Sequence, residues 1–164
     1  MNKSQRRHTK EKLLFTIFTV CIKADVTTIS SLRQTHSSND PTAAQDEVNT
    51  LLFELAETYF YKEDYAKALT FYEQLNKTSF RDLSLIPLAK SYAACGQHAQ
   101  AATLYLALSK SHPDKAEELL FQAACLQMEE NAPGALITLN QIVDLQGKYR
   151  DKASYNILAI LFQQ

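Results

Sequence analysis

The residues that could carry out chemistry are few and scattered along this chain of 164 residues. A catalytic or metal-binding histidine needs a nucleophile or a second ligand at a suitable spacing, and none of the four histidines has one. They are His8, His36, His98 and His112. The acidic pairs Glu117-Glu118 and Glu129-Glu130 are adjacent in sequence, so neither pair can share one helical face as a general acid and base. The sequence therefore predicts that the protein is not an enzyme.

Cofactor and metal sites are not indicated either. A phosphate-binding loop needs clustered glycines, whereas Gly96, Gly134 and Gly147 each stand alone. The cysteines are odd in number and lack metal-ligand spacing, so we expect buried free thiols rather than a disulfide or a zinc site. They are Cys21, Cys95 and Cys125. The sequence thus predicts no cofactor and no metal.

Composition favours a folded, all-α protein. Hydrophobic residues make up 46% of the chain, and only 3 glycines and 4 prolines interrupt it, which favours helices joined by short turns. The net charge of -1 is uneven, because residues 1–12 carry five basic residues and one acid, or +4, which leaves -5 for the rest. The body therefore lacks the basic footprint of a nucleic-acid-binding protein.

Residues 1–36 form a basic tail followed by an apolar run at 13–22, for which two interpretations stay open. The run fits a secretory signal with residues 1–24 removed, which would make the protein an exported or membrane-associated structural subunit of an assembly. Alternatively, Lys12, Thr16, Thr19 and Lys23 would form the polar stripe of a helix that packs on the body or on a second copy. The second interpretation favours a cytoplasmic location. The run is too short to span a bilayer in either case.

Residues 37–48 are predicted to form a linker and the start of a long helix. Asp40-Pro41 is typical of a helix cap followed by proline in the first turn, and the apolar spacing continues to about Tyr61. Residues 49–164 then form a repeat array. Its final helix is predicted at Lys152 to Gln164, after Gly147 ends the helix before it.

The array is recognised by positions that recur in register. Leu55, Ala56, Tyr59, Ala68 and Tyr72 return 33 residues later. The recurring set is Leu88, Ala89, Tyr92, Ala101 and Tyr105, and a third set 34 residues on includes Ala123, Ala135 and Leu139 but has Gln122 in place of leucine. A repeat of this length predicts stacked helix pairs, in which small residues let the backbones approach.

These residues resemble the tetratricopeptide repeat family. The resemblance implies about three helix-turn-helix units plus a C-terminal capping helix, preceded by an N-terminal helix, and a function in binding another protein. It also implies which residues line the concave groove, on the first helix of each pair. They are Phe53, Glu57, Phe60, Tyr61, Ile86, Lys90, Leu120 and Met128.

This lining is mostly apolar, so we expect it to bind an apolar peptide or helix of a partner, as an adaptor or chaperone would. The competing interpretation is that several of these side chains are ordinary core. Members of the family that bind the acidic C-terminal tails of heat-shock chaperones use a clamp of Lys, Arg and Asn. Phe53 and Glu57 occupy two of the clamp positions in this chain, which disfavours acidic tails as ligands. In size, in groove type and in the helix expected at residues 119–126, the chain also resembles the three-repeat chaperones of type III secretion, which hold hydrophobic segments of secreted subunits. A homodimer through the N-terminal helix or the face at Leu158 to Phe162 is a further possibility.

Overall fold

All regular secondary structure is helical in the part of the chain that the structure describes. The computed structural model describes the backbone of residues 41–162 and the side chains of residues 45–162. That part contains seven α-helices and no strand. They are α1 (Pro41–Tyr61), α2 (Tyr65–Leu75), α3 (Arg81–Ala94), α4 (His98–Ser111), α5 (Ala116–Glu130), α6 (Ala132–Leu145) and α7 (Arg150–Phe162). The all-α prediction is confirmed. The predicted N-terminal helix or signal segment at 1–36 lies outside the described residues.

The helices form a linear series of pairs. Residues from Asn49 onward make one compact unit, in which each helix from α2 to α7 packs against the next one along the chain. Ring contacts join α1 to α2, with centroids 5.4 Å apart for Phe60 and Tyr65 and 5.7 Å apart for Tyr59 and Phe71. The pairs α1/α2, α3/α4 and α5/α6 correspond to the three predicted units, and α7 follows as the capping helix.

The recurring small residues of the array are buried. The alanine at each recurring small position is completely shielded from solvent. These residues are Ala56, Ala68, Ala89, Ala101, Ala123 and Ala135. The larger recurring side chains fill the space around them, and Tyr72, Tyr105 and Leu139 are all buried. Because a longer side chain would hold the backbones apart, the repeat residues explain why the helices stack. Gln122 stands where the first two units have leucine, and this position of α5 is exposed, so a polar residue is tolerated there.

Side-chain caps fix two helix starts. Asp64 precedes α2, accepts a hydrogen bond from the Lys67 amide at 3.4 Å and pairs with the Lys67 ammonium at 2.7 Å. The hydrogen bond from the Lys67 side chain lowers the pKa of Asp64. Asn131 caps α6 by accepting from the Gly134 amide at 3.1 Å. Pro133 lies in the first turn of α6, as predicted, where the missing amide removes no helical hydrogen bond.

The two turns that follow α3 and α6 differ in the residue that reverses the chain. Gly96 has a φ of +74°, a left-handed conformation that glycine adopts without steric cost. After α6 the left-handed residue is Gln146, with a φ of 52°. The prediction that Gly147 ends α6 is therefore wrong by one residue. The small size of Gly147 serves another purpose, because the carboxyl group of Glu117 from α5 lies over it.

We expect Gly147→Ala to lower the free energy of unfolding by about 1 kcal/mol. The new methyl group would clash with one carboxyl oxygen of Glu117. The other oxygen of that carboxyl group accepts a hydrogen bond from the Tyr149 amide at 2.7 Å. Chemical denaturation of Gly147→Ala, Glu117→Ala and the double variant measures the effect. The double variant should be no less stable than Glu117→Ala alone, whereas additive losses would show that the carboxyl group is not the obstacle.

One helix contains a proline in its interior. Pro87 lies in the middle of α3, where it has no amide to donate to the carbonyl of Leu83, one turn earlier. Leu83 is 63% exposed, so water can replace the missing donor. One turn later, the Ser91 hydroxyl donates to the Pro87 carbonyl at 2.8 Å. The helix therefore continues past the proline.

The last helix leaves apolar side chains in solvent. Ala153 and Ile160 of α7 are buried, but four of its large apolar residues are more than half exposed. They are Tyr155, Leu158, Leu161 and Phe162. One side of α7 therefore covers the end of the array, as predicted, while the opposite side is exposed. The homodimer through the exposed side of α7 stays a prediction. Among the helices described here, none combines the length and the apolar character that crossing a bilayer requires.

Candidate functional site

The predicted groove residues of the first two units occupy matching repeat positions. Ile86 follows Phe53 by 33 residues, and Lys90 follows Glu57 by the same interval. Together with the two aromatic residues at the end of α1, they form what we call the first-helix face. It comprises Phe53, Glu57, Phe60, Tyr61, Ile86 and Lys90. Tyr61 is 78% exposed, Lys90 is also exposed, and the other four are half-buried. Solvent therefore reaches every member of this face.

Aromatic contacts hold the α1 part of the face in place. The Phe60 ring lies edge-on to Tyr61, Tyr65 and Tyr72, with centroids 6.1, 5.4 and 6.3 Å away. Such edge-to-face pairs are the favoured arrangement of aromatic side chains. Phe60 thus joins the buried core at Tyr72 to the exposed ring of Tyr61. A substitution of Phe60 would damage the fold as well as the surface.

Phe53 serves mainly in packing. Its ring contacts Tyr72 of α2 at 6.4 Å and Phe80, the residue before α3, at 6.0 Å. Because Phe80 leads into the second unit, Phe53 connects the first helix pair to the start of the next. The competing interpretation, that some lining residues are core, is supported for this side chain.

Glu57 is the acidic member of the first-helix face, and a hydrogen bond from the core fixes its position. Its Oε1 atom accepts a hydrogen bond from the hydroxyl group of Tyr72, a completely buried residue of α2. Burial raises the pKa of Tyr72, and the hydrogen bond to Glu57 raises it further. Tyr72 therefore stays protonated and remains a donor over the whole physiological range. The bond orients the Glu57 carboxylate, since the tyrosine ring cannot move within the core.

The third unit does not contribute to the face as predicted. Leu120 is only 8% exposed and belongs to a core cluster with residues of α6 and α7, and Met128 packs against the same cluster. The α7 residues Ala153 and Ile160 take part in this cluster. Because the capping helix follows the third unit directly, Leu120 is core and Met128 is partly covered. The prediction of an open groove at Leu120 is corrected accordingly.

One exposed apolar residue on α3 was missed. Leu83 lies three residues before Ile86 and seven before Lys90, which puts it on the same side of the helix. With 63% exposure it presents more apolar surface than Ile86 does. The spacing of three and then four residues was the signal that could have found it. It extends the apolar part of the second unit by one turn.

A hydrogen bond joins the first two units. The Tyr92 hydroxyl of α3 donates to the Glu73 carboxylate of α2 at 2.8 Å. Partial burial and this bond raise the pKa of Tyr92 to about 12. The link is thus present at neutral pH and is lost only when strong alkali ionises the tyrosine. It helps to fix the relative placement of α2 and α3.

The other histidine and cysteine side chains that the structure describes do not form a metal site. His98 at the start of α4 lies 3.9 and 3.5 Å from carboxylate oxygens of Glu129 and Glu130 at the end of α5. Cys95 is a half-buried free thiol, but Cys125 is exposed, so the prediction of buried thiols is wrong for Cys125. Within the part of the chain that the structure describes, no three His, Cys, Asp or Glu side chains gather as metal ligands would.

A comparison with family models bears on the first helix pair. Residues 50–78 match the family model of the tetratricopeptide repeat. This range begins within α1 and includes the turn after it and all of α2. The predicted resemblance to this family is therefore confirmed, and the tetratricopeptide repeat is an interaction module. Comparisons with curated proteins and with solved structures gave no significant match.

Proposed function

We propose that the protein binds an apolar peptide or helical segment of a partner protein on the first-helix face, and that its role is binding rather than catalysis. The tetratricopeptide repeat at residues 50–78 supports a protein-binding role in general. The finer proposal rests on the side chains that this repeat and the next one display. Holding an apolar segment would suit an adaptor or a chaperone that shields an aggregation-prone partner, as a secretion chaperone does.

The exposed ring of Tyr61 is the observation that carries this proposal. It is 78% exposed although it lies beside the half-buried ring of Phe60. Tyrosine combines a large apolar surface with few rotatable bonds, and it is enriched among the residues that dominate binding energy in protein interfaces. On α3, Leu83 and Ile86 supply aliphatic surface at a helical spacing. An apolar segment would cover both patches.

The proposal predicts that Tyr61→Asp and Ile86→Asp each weaken partner binding by at least tenfold without loss of helicity. Both residues reach solvent, so an aspartate at either position is tolerated better than at Phe60, which contacts buried Tyr72. Affinity capture from the source cell with the parent protein and each variant, followed by quantitative mass spectrometry and circular dichroism, measures the effect.

Ile137→Asp is the matched control for this experiment. Ile137 is 64% exposed on α6, the second helix of its pair, and therefore lies outside the first-helix face. The control should retain the partners that Tyr61→Asp loses. Equal capture by the parent and both face variants would contradict the proposed function, because binding would then use another surface.

A further inference from the structure

Glu57 places a carboxylate between aromatic side chains. It lies one turn after Phe53 and one turn before Phe60 and Tyr61 on α1, and it is half-buried. The Tyr72 hydroxyl occupies its Oε1 atom. A carboxylate has about four acceptor positions, so Oε2 is left with capacity for a donor from outside.

No cation of the chain itself compensates this charge in the part that the structure describes. Among residues 45–162, the ion pair of Asp64 with Lys67 and the contacts of His98 with the carboxylates at the end of α5 do not include Glu57. A half-buried carboxylate loses part of its hydration, and a cation from a ligand would restore the lost stabilisation. The charge of Glu57 therefore points to a positive group in the bound segment.

The neighbouring rings favour arginine as that group. A guanidinium is planar, stacks on aromatic faces and donates two parallel hydrogen bonds to a carboxylate. Tyr61 offers such a ring in solvent, four residues after Glu57 and hence on the same side of α1. Phe60, edge-on to Tyr61, restricts the position of that ring. Carboxylate and ring would thus receive one arginine side chain together.

The second unit differs from the first at the equivalent positions, so the two ends of the first-helix face differ in charge and in aromatic content. Lys90 stands where the first unit has Glu57, and Ala93 and Ala94 stand where it has Phe60 and Tyr61. The acidic and aromatic features are thus confined to the first unit. A basic residue of a bound segment is favoured at α1, and it is repelled by Lys90 at α3.

We propose that the occupant of the first-helix face is a partner segment in which an arginine adjoins apolar residues, and that Glu57 and Tyr61 bind the arginine. This inference rests on the proposed function and specifies its ligand. Charge complementarity identifies the arginine, and Leu83 and Ile86 identify the apolar residues beside it. The mode differs from a clamp for acidic tails, because the central side chain is a carboxylate.

Selection of random peptides displayed on phage, with the full chain as bait, tests the inference without knowledge of the partner. Enriched peptides should carry arginine next to apolar residues. The best one is then synthesised with arginine and with citrulline, which has nearly the same shape without the charge. We expect the arginine form to bind the parent protein about tenfold more tightly, as a charged pair that is partly shielded from water would.

Glu57→Gln decides whether Glu57 is the acceptor. Glutamine keeps a carbonyl oxygen for the Tyr72 hydroxyl, so the fold should persist, while the preference for arginine over citrulline should fall to less than about twofold. Glu54→Gln, an exposed residue of the same helix, removes the same charge and should keep the full preference. Circular dichroism of both variants verifies the fold.

The outcomes separate the inference from the proposed function. Enriched peptides that are apolar without arginine, or a preference for arginine that persists in Glu57→Gln, would overturn the inference and leave apolar binding intact. If every enriched peptide still bound to Tyr61→Asp, or if no peptide were enriched, the first-helix face would not be a binding surface. That result would overturn both the inference and the proposed function.

Discussion

Leu139→Ala is expected to lower the free energy of unfolding by about 2–5 kcal/mol. Leu139 lies in α6, is completely buried, and belongs to the core cluster that includes Leu120 of α5 and Ala153 of α7. Shortening it leaves a cavity between three helices that can close only in part. Urea denaturation followed by far-ultraviolet circular dichroism measures the change.

Ile137→Ala is the control on the same helix. Ile137 is 64% exposed, so removing the same number of carbon atoms should change the free energy of unfolding by less than about 0.5 kcal/mol. If the two variants lost equal stability, Leu139 would not occupy the core between the third unit and the capping helix. The described packing of α5, α6 and α7 would then be wrong.

Ala101→Leu is expected to cost about 1–3 kcal/mol through the opposite defect. Ala101 is a completely buried recurring alanine at the start of α4. Three additional carbon atoms have no space there, so α4 must move away from its neighbours or adopt strained rotamers. In a stack of repeats the effect should be largest in the affected unit and its direct contacts. Thermal unfolding gives the total loss, and hydrogen exchange gives its location.

Ala107→Leu tests whether crowding is the cause. Ala107 lies on the same helix but is exposed, and leucine has nearly the same helix propensity as alanine. Its thermal midpoint should stay close to that of the parent protein. A comparable loss in both variants would show that α4 is sensitive to leucine for a reason other than close helix packing.

The fold could be predicted to a large extent because its main requirement repeats in the sequence. A small residue is needed wherever two helices approach closely, and Ala56, Ala89 and Ala123 mark that place in three successive units. The start of α6 was also predictable, because Asn131 and Pro133 act through local chemistry. The end of α6 was not, since the use of Gly147 depends on Glu117, which is distant in sequence.

The candidate site could be predicted only in part, because repeat position does not determine burial. Phe53, Ile86 and Leu120 occupy the same position of successive units, yet Leu120 is core while Ile86 is half-buried. The difference arises from α7, which supplies residues to the cluster around Leu120. Apolar residue types alone cannot distinguish a core side chain from a binding one. Long-range packing decides between them.

A hydrogen bond between distant residues likewise changed the interpretation of Glu57. The sequence predicted that Glu57 lines the groove, whereas the bond from Tyr72, 15 residues away, is visible only in the structure. This bond holds the carboxylate in one orientation beside the aromatic rings. A preoriented charge loses less entropy on binding than a mobile one, which makes it better suited to select a partner.

Nuclear magnetic resonance titration tests the central claim, that the first-helix face binds the ligand, most directly. The isotope-labelled 164-residue chain is titrated with a peptide enriched from the random library. We expect the largest amide shift changes in α1 near Glu57 and Tyr61 and in α3 near Leu83, Ile86 and Lys90. Changes concentrated on the exposed side of α7, at Tyr155 and Leu158, would contradict the account, because the ligand would then bind at the end of the array.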